Sequence, residues 1–209
     1  MNQPGWPANA GPVTIAAGEV RLRPVRLRDA TSWSKYRLQD EDYLRPWEPS
    51  GPGTWEGRHR ASSWPSVCMN LRNAGRKGMM LPFAIELDGQ FCGQLTVGNM
   101  VRGPLCSAWI GYWIAKDLAG KGIATTALAL GVDHCFRAVG LHRLEATVRP
   151  ENEASQSVLR RVGFRDEGFL RRYLHVDGDW RDHKLVAILT DDYPDTAISR
   201  LVRQGRAKW

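Results

Sequence analysis

Along the chain the spacing of apolar and polar positions changes several times, and each change marks a predicted element. Residues 1–18, rich in Pro, Gly, Ala and Asn, carry no period and predict a flexible N-terminal lead-in. Val20-Arg21-Leu22-Arg23-Pro24-Val25 alternates apolar and polar side chains, as a half-buried strand does. Asp29 stands at the N-cap position of a helix through Tyr36 and Leu38. Pro46 and Pro49 stop any helix over 43–49. A second helical stretch spans roughly 54–74; Gly75 and Gly78 close it, and Pro65 predicts a kink or a split inside it. After Gly78 the period is two: Phe83, Ile85 and Leu87 alternate with Ala84, Glu86 and Asp88, and Asp88-Gly89 marks a hairpin. A return strand through Phe91 to Val97 and a third over about 107–114 follow. Helical spacing then resumes at Ile123, Ala127 and Leu130, with Leu128, Val132, Cys135 and Phe136 one step round, until Gly140 closes the helix. Leu144, Ala146 and Val148 form a strand ended by Pro150, a short helix covers about 153–162, and two strands flank Asp177-Gly178.

This order, β-α-α-β-β-β-α-β-α-β-β, predicts one α/β domain: a mixed central sheet of about seven strands with about four helices. The expected organisation is the lead-in over 1–18, the domain over 19–194 and a basic C-terminal tail over 195–209 with a weak helical pattern.

Composition narrows the class. Apolar residues make up 43% and charged residues 24%, which excludes a disordered chain. No uncharged apolar run is long enough to span a bilayer, and the start lacks the basic-then-apolar order of a secretory signal. A cytoplasmic protein without membrane association is the expectation. The net charge of +7 and nine Trp permit two readings, a solvated arginine-rich surface or association with nucleic acid. Cys68, Cys92, Cys106 and Cys135 lie far apart with no C-x-x-C pair, so they read as small apolar residues rather than metal ligands or a disulfide framework.

Two segments carry chemistry. Strand residues Ile110-Gly111-Tyr112-Trp113-Ile114 lead to Ala119-Gly120-Lys121-Gly122-Ile123-Ala124 and then a long helix. Successive N–H groups in such a turn, with the positive end of the helix dipole, suit a phosphate, and Lys121 adds a cation. The spacing matches neither G-x-x-x-x-G-K-[ST] nor G-x-G-x-x-G, and a plain strand-to-helix connection is an equal reading. The second segment, Arg149-Pro150-Glu151-Asn152-Glu153-Ala154-Ser155, ends a strand and starts a helix that closes at Gly163-Phe164. Here Asn152 and Ser155 read as cap and first turn.

Taken in order, Gly-x-Gly-x-Ala after a strand, Asn-x-x-Ser and a later Gly-Phe resemble the GCN5-related N-acetyltransferases. The segments 44–49, 101–103 and 177–183, with Pro46-Trp47-Glu48-Pro49 and Trp180-Arg181-Asp182-His183, look like the ribosomal-protein-alanine N-acetyltransferases of the RimJ/RimL type. The resemblance covers about residues 19–194. It implies acetyl-CoA as cosubstrate, no metal, and transfer of acetyl to a protein N-terminus, with a ribosomal protein alanine as first choice. It further implies that the backbone at Trp113 and Ile114 holds the pantetheine like an added strand. Gly120, Lys121, Gly122, Ile123 and Ala124 would hold the pyrophosphate, Asn152 would support the site, and Arg161 or Arg160 would reach the 3′-phosphate. Ser155 would stabilise the departing thiolate, with Tyr112 and Tyr173 in reserve. Glu48 is the candidate base, with Asp182 and His183 as rivals, and Trp47 and Trp180 are the candidate peptide contacts. Two departures from the family pattern are Ala119, at the head of the phosphate loop, and Leu174, where some relatives carry an acid.

Two alternatives stand beside this reading. One is a small-amine acetyltransferase for aminoglycosides or polyamines, favoured by Asp40, Glu41, Asp42 and Glu48. The other is a non-catalytic acyl-CoA sensor or nucleic-acid-associated protein. Weak RNA or ribosome association, and a monomer or homodimer, complete the expected partners.

Overall fold

The computed structural model describes residues 5–192 and 194–208. One eight-stranded sheet runs through it in the order β1-β2-β3-β4-β5-β6-β8-β7. Its strands are β1 (Ala10–Ile15), β2 (Gly18–Pro24), β3 (Leu81–Leu87), β4 (Gln90–Val101), β5 (Ser107–Ile114), β6 (Arg143–Val148), β7 (Arg165–Val176) and β8 (Asp179–Leu189). Every neighbouring pair is antiparallel except β5 with β6. Seven α-helices accompany them among the described residues: α1 (Ala30–Gln39), α2 (Glu41–Leu44), α3 (Trp55–His59), α4 (Trp64–Arg76), α5 (Ile123–Arg137), α6 (Glu153–Val162) and α7 (Ala197–Arg203). The fold is the expected α/β domain with a mixed sheet, one strand and three short helices richer than the apolar pattern suggests.

Two of the additional elements lie in the terminal segments, β1 in the expected lead-in and α7 in the basic tail. Within the anticipated lead-in, of which residues 1–4 lie outside the description, β1 pairs with β2 and buries Val13 and Ile15. Gly11-Pro12 and a bulge between Ala10 and Val13 interrupt its alternation, leaving only two apolar positions to betray a strand. The anticipated C-terminal tail, apart from Trp209, which lies outside the description, forms α7 and folds back on α5. The Asp133 carboxylate accepts the Ala197 and Ile198 N–H groups at 2.6 and 3.1 Å, and Thr196 Oγ1 caps Ser199 N–H at 2.8 Å. Ala197, Ile198 and Leu201 are buried beneath it. Lys208 then exchanges two backbone hydrogen bonds with Thr14, returning the C-terminal segment to β1.

The helical stretch over 54–74 is split, but not at Pro65. The break falls at Arg60, whose backbone is extended, while Pro65 sits in the first turn of α4, where its missing N–H costs nothing. Asp29 occupies the N-cap position of α1 without capping it through its side chain. Its carboxylate instead takes two guanidinium hydrogen bonds from buried Arg23 at 2.7 and 2.8 Å. A buried cation without such a partner is costly, and that demand outweighs the cap.

Two apolar layers cover the sheet. Helices α5, α6 and α7 lie over the larger core, which includes Leu95, Ile110, Leu128, Leu159 and Ile198. On the other side α1 and α4 cover a smaller cluster of Val25, Trp33, Trp64, Cys68, Ala84 and Phe91, against which Trp113 packs. Cys68, Cys92 and Cys135 are buried free thiols and Cys106 is a half-buried one, in line with their reading as small apolar residues.

Candidate active site

Strands β5 and β6 pair at only three positions, Ser107 with Arg143, Ala108 with Leu144 and Trp109 with Glu145, and then separate. β5 continues along β4 as far as Ile114, while β6 continues along β8 as far as Val148, so a wedge opens between them. Backbone groups of successive strand residues point to alternate sides. The Cys106 carbonyl accepts from His142 and Arg143 on the β6 side, and the Ala115 N–H donates to Cys92 on the β4 side. The peptide groups of Tyr112 and Ile114 therefore face the open wedge, and those of Trp113 face β4. An extended ligand lying in the wedge would meet the peptide groups of Tyr112 and Ile114, whereas those of Trp113 are taken up by β4.

Beyond β5 a single turn of 3-10 helix, Lys116–Leu118, leads to the glycine turn. Gly120 and Gly122 both take left-handed backbone, with φ of +77° and +87°. A side chain on Gly120 would meet nothing within 4 Å, so glycine is needed there for conformation and the space is left for something else. Gly122 is the N-cap of α5 and no side chain caps that end. Ile123 and Ala124 are buried, so they offer N–H groups, whereas Lys121 is exposed with its charge free to approach a ligand. An open cationic turn whose N–H groups lack a side-chain cap fits a diphosphate. Ala119 lies in extended backbone at the head of this turn and contributes no polar side chain.

The first turn of α6 stands at the mouth of the wedge. Asn152 Oδ1 accepts the Ser155 N–H at 3.0 Å, so this side chain caps α6. Ser155 Oγ lies 3.0 Å from the Tyr112 hydroxyl. Burial pushes the Tyr112 phenol well above its ordinary value, so it keeps its proton. A Tyr112 O–H donated to Ser155 Oγ leaves the serine hydroxyl hydrogen free to point into the wedge.

Across the sheet the loop at 45–50 is stitched to the β7–β8 hairpin: Pro49 bridges Val176, and the Ser50 N–H donates to the His175 carbonyl at 2.8 Å. Arg149, at the end of β6, donates to the Pro46 carbonyl at 2.9 Å and lies over the Trp47 ring. Trp47 is thereby fixed beside the wedge. Trp180 is different: it is 52% exposed on the hairpin, with its ring edge against His175. Neither tryptophan lines the 420 Å³ depression on this side, whose wall includes Glu41, Glu48, Glu56, Asp177, Arg45 and Arg58.

Glu48 is not the free carboxylate that a general base requires. One oxygen is paired with Arg37, and the other lies 3.5 Å from Arg58 and 3.4 Å from His59. Arg37 is buried between the Trp55 and Trp113 rings, at 5.0 and 4.9 Å, and donates to His59 Nε2. Burial, then the charge of Arg58, pulls the Arg37 pKa down to about 9, still charged at neutral pH. Burial, then Arg37 and Arg58, pushes His59 to about 3 and keeps its ring neutral.

The Asp182 carboxylate accepts the Arg172 N–H at 2.7 Å, and His183 is buried, with burial lowering its pKa. Tyr173 is exposed, with its ring edge against that of His183. Asp40 is buried and accepts the Lys116 N–H at 2.8 Å, so it braces the loop after β5 rather than lining an amine pocket. Arg161 and Arg160 lie on the outer face of α6, beside α7. Sequence reasoning passed over Arg37, His59 and Arg149, which reach the site from three separate elements; no spacing along the chain announces such a convergence.

Comparison with known proteins places this geometry. The model of the acetyltransferase (GNAT) domain family matches residues 19–165. The chain is 30% identical over 191 residues to the ribosomal protein uS5-alanine N-acetyltransferase of Escherichia coli K12, covering 90% of this chain and 97% of that one. It is 31% identical over 113 residues to the spermidine N(1)-acetyltransferase of the same organism, covering 53% of this chain and 59% of that one. Among solved structures, Mycobacterium smegmatis RimJ in complex with CoA-disulfide superimposes with a TM-score of 0.98 at 60% identity over 99% of both chains.

Proposed function

Since this chain belongs to the GNAT acetyltransferase family, we propose that it transfers the acetyl group of acetyl-CoA to the N-terminal α-amino group of a protein, with a ribosomal protein that begins with alanine as the first candidate. The observation that carries the reading is the wedge between β5 and β6, with Ser155 and Tyr112 at its mouth and the glycine turn beyond its end. The uS5-alanine enzyme, matched over nearly its whole length, supports the acceptor, and the RimJ structure, a complex with CoA-disulfide, supports the coenzyme.

Acetyl-CoA supplies a thioester, so the reaction makes a C–N bond and breaks a C–S bond while one proton leaves nitrogen and one reaches sulfur. Tyr112 and Ile114 offer backbone groups to the pantetheine, and Gly120 to Ala124 offer N–H groups to the diphosphate. The Ile114 N–H, which faces the wedge, donates to negative charge developing on the carbonyl oxygen. Ser155, held by Tyr112, donates to the sulfur as it takes up charge. Proton removal from the amine needs little from the protein. An α-amino group has a pKa of roughly 7.7–8.0, far below a lysine, so an appreciable neutral fraction exists near pH 7.5. Glu48, clamped by cations, then orders the loop beside the acceptor rather than taking the proton.

The test is thiol release from acetyl-CoA with N-terminal alanine peptides, spermidine and an aminoglycoside in parallel. Turnover confined to peptides with a free N-terminus supports the proposal. Turnover confined to spermidine or the aminoglycoside would replace it with small-amine acetylation, for which the four carboxylates of the 420 Å³ depression and the spermidine-acetyltransferase relative speak. Coenzyme binding without thiol release for any acceptor would identify an acyl-CoA sensor.

A further inference from the structure

Side chains of β5 alternate between two faces of the sheet. Ile110, Tyr112 and Ile114 turn toward the larger core beneath α5 and α6, and Trp109, Gly111 and Trp113 turn the other way. On that second face Trp113 packs against the cluster covered by α1 and α4, and its ring carries the Arg37 guanidinium at 4.9 Å. Trp109, four residues earlier, is 38% exposed, although β5 is paired on both sides there, with Gly98 of β4 and Glu145 of β6. Trp109 with Glu145 is the last pair before the wedge opens.

The indole lies along the sheet. A Cβ on Gly111 would come within 2.6 Å of its Cζ2 and Cη2, and one on Gly98 within 3.6 Å of its Cε3. Gly111 has no left-handed backbone, so its missing side chain serves the close approach of the ring. Gly111 lies on the open side of the wedge and directly precedes Tyr112, the partner of Ser155. The ring thus covers the β5 border of the wedge beside the position of the thioester. With Ser155 donating to the sulfur from the α6 side, the acceptor amine arrives on the face that carries Trp109, and its first side chain arrives with it. A rigid ring lying on the strands beneath it has little room to give way to a bulky group. We propose that Trp109 determines acceptor specificity: its ring is the wall against which the first side chain of the acceptor packs, and it limits that residue to a small one such as alanine or serine. This rests on the N-terminal acetylation reading above and deepens it by naming the residue that sets the first position.

The test is kcat/KM for peptides that differ only in their first residue, Ala, Val or Leu, with coenzyme A affinity measured by calorimetry alongside. The intact chain should favour Ala over Leu by at least roughly 10-fold, the lower end of what a pocket draws from one methylene group. Trp109→Ala should raise kcat/KM for the Leu peptide roughly 10-fold with no gain for the Ala peptide, as expected when a steric barrier is removed. Trp109→Phe keeps a ring of shorter reach, so it should admit Val before Leu, and it decides the matter if the alanine variant does not fold. Coenzyme A affinity should hold in both variants, which separates lost selectivity from a lost fold. An Ala-to-Leu ratio that neither variant changes overturns the assignment, as does equal use of Ala and Leu by the intact chain; both leave the acetyltransferase reading standing. An equal loss for all three peptides overturns it too, by making Trp109 a packing residue. An intact chain that acetylates none of the peptides sinks the N-terminal acceptor reading and this assignment with it.

Discussion

The two sides of the wedge are built from different materials. On the coenzyme side the chemistry is offered by backbone: the free edge of β5, two left-handed glycines and the start of α5. On the acceptor side it is offered by side chains from distant segments, with Arg37 of α1, Glu48 of the proline-bounded loop, Arg58 and His59 of α3 and Trp113 of β5 packed together. A backbone site tolerates changes of side chain so long as the conformation holds, so Ala119 and buried Ile123 and Ala124 should leave the N–H groups of the proposed phosphate turn available. A side-chain cluster has no such tolerance, because removing one member strands the charge of another.

The sharpest test of that difference is Arg37→Ala. Arg37 is 6% exposed, and its loss leaves Glu48 facing only the longer contacts to Arg58 and His59. The expected cost is about 3–5 kcal/mol in urea or thermal unfolding, the range for breaking a buried pair from one side. A loss below about 1 kcal/mol would mean that the cluster is no more than a surface ion pair. Glu48→Gln keeps the shape and removes the charge, so its effect on turnover should be the same at every pH from 6 to 9. A loss concentrated at low pH would return Glu48 to the role of general base.

Ser155→Ala tests a coenzyme-side position where the proposed chemistry uses a side chain. kcat should fall roughly 10- to 100-fold, as expected when a hydrogen bond to a charged group disappears from the transition state, with coenzyme affinity little changed. Unchanged kcat would remove Ser155 from the reaction and leave its contact with Tyr112 as packing.

The same division explains how much of the molecule is legible in its sequence. Gly120, Gly122, Asn152 and Ser155 are local features, fixed by turn and cap chemistry within a few residues, and all stand where the motifs place them. Trp113 shows how far local reading reaches: its segment borders the wedge, but strand alternation, set by hydrogen bonds to β4 and β6, turns the peptide groups of Tyr112 and Ile114 to the open edge. Glu48 reads from sequence as a free loop carboxylate because Arg37, eleven residues upstream, and His59, eleven downstream, carry no mark of meeting it. In the fold, β1 was hidden by Gly11-Pro12 and α7 by having only three buried apolar positions. β1 is held by the neighbouring strand at Val20 and Leu22 and, from the other end of the chain, by Lys208, while α7 is held by Asp133, 64 residues before Ala197.

His59 gives a smaller, pH-dependent effect on the acceptor side. Its Nδ1 faces the Trp55 carbonyl at 2.9 Å and its Nε2 faces Arg37, an arrangement satisfied by the neutral ring. With a folded pKa lowered to about 3 and an unfolded value of 6.5, the unfolded chain takes up the proton first as pH falls. Stability is therefore lost below pH 6.5, by about 2 kcal/mol at pH 5 from this group alone. His59→Gln should flatten that part of the stability–pH curve; an unchanged slope between pH 7 and 5 would show that the ring is protonated inside the fold.

The smallest effect is expected where the backbone argument is most exposed to failure. Gly120→Ala adds a methyl group into empty space, so no clash accompanies it, and only the left-handed conformation opposes it. That penalty is about 1–2 kcal/mol. The turn can escape the strain by leaving the left-handed region, which turns its N–H groups away from the diphosphate. The KM for acetyl-CoA should then rise several-fold while kcat stays the same, because Ser155 and the wedge are untouched. Global stability should fall by no more than about 1 kcal/mol, since the turn is exposed and unpacked. A fall in kcat at constant KM would mean that the turn positions the reacting groups as well as the phosphates, and would erase the separation between a backbone half that binds and a side-chain half that orders the acceptor.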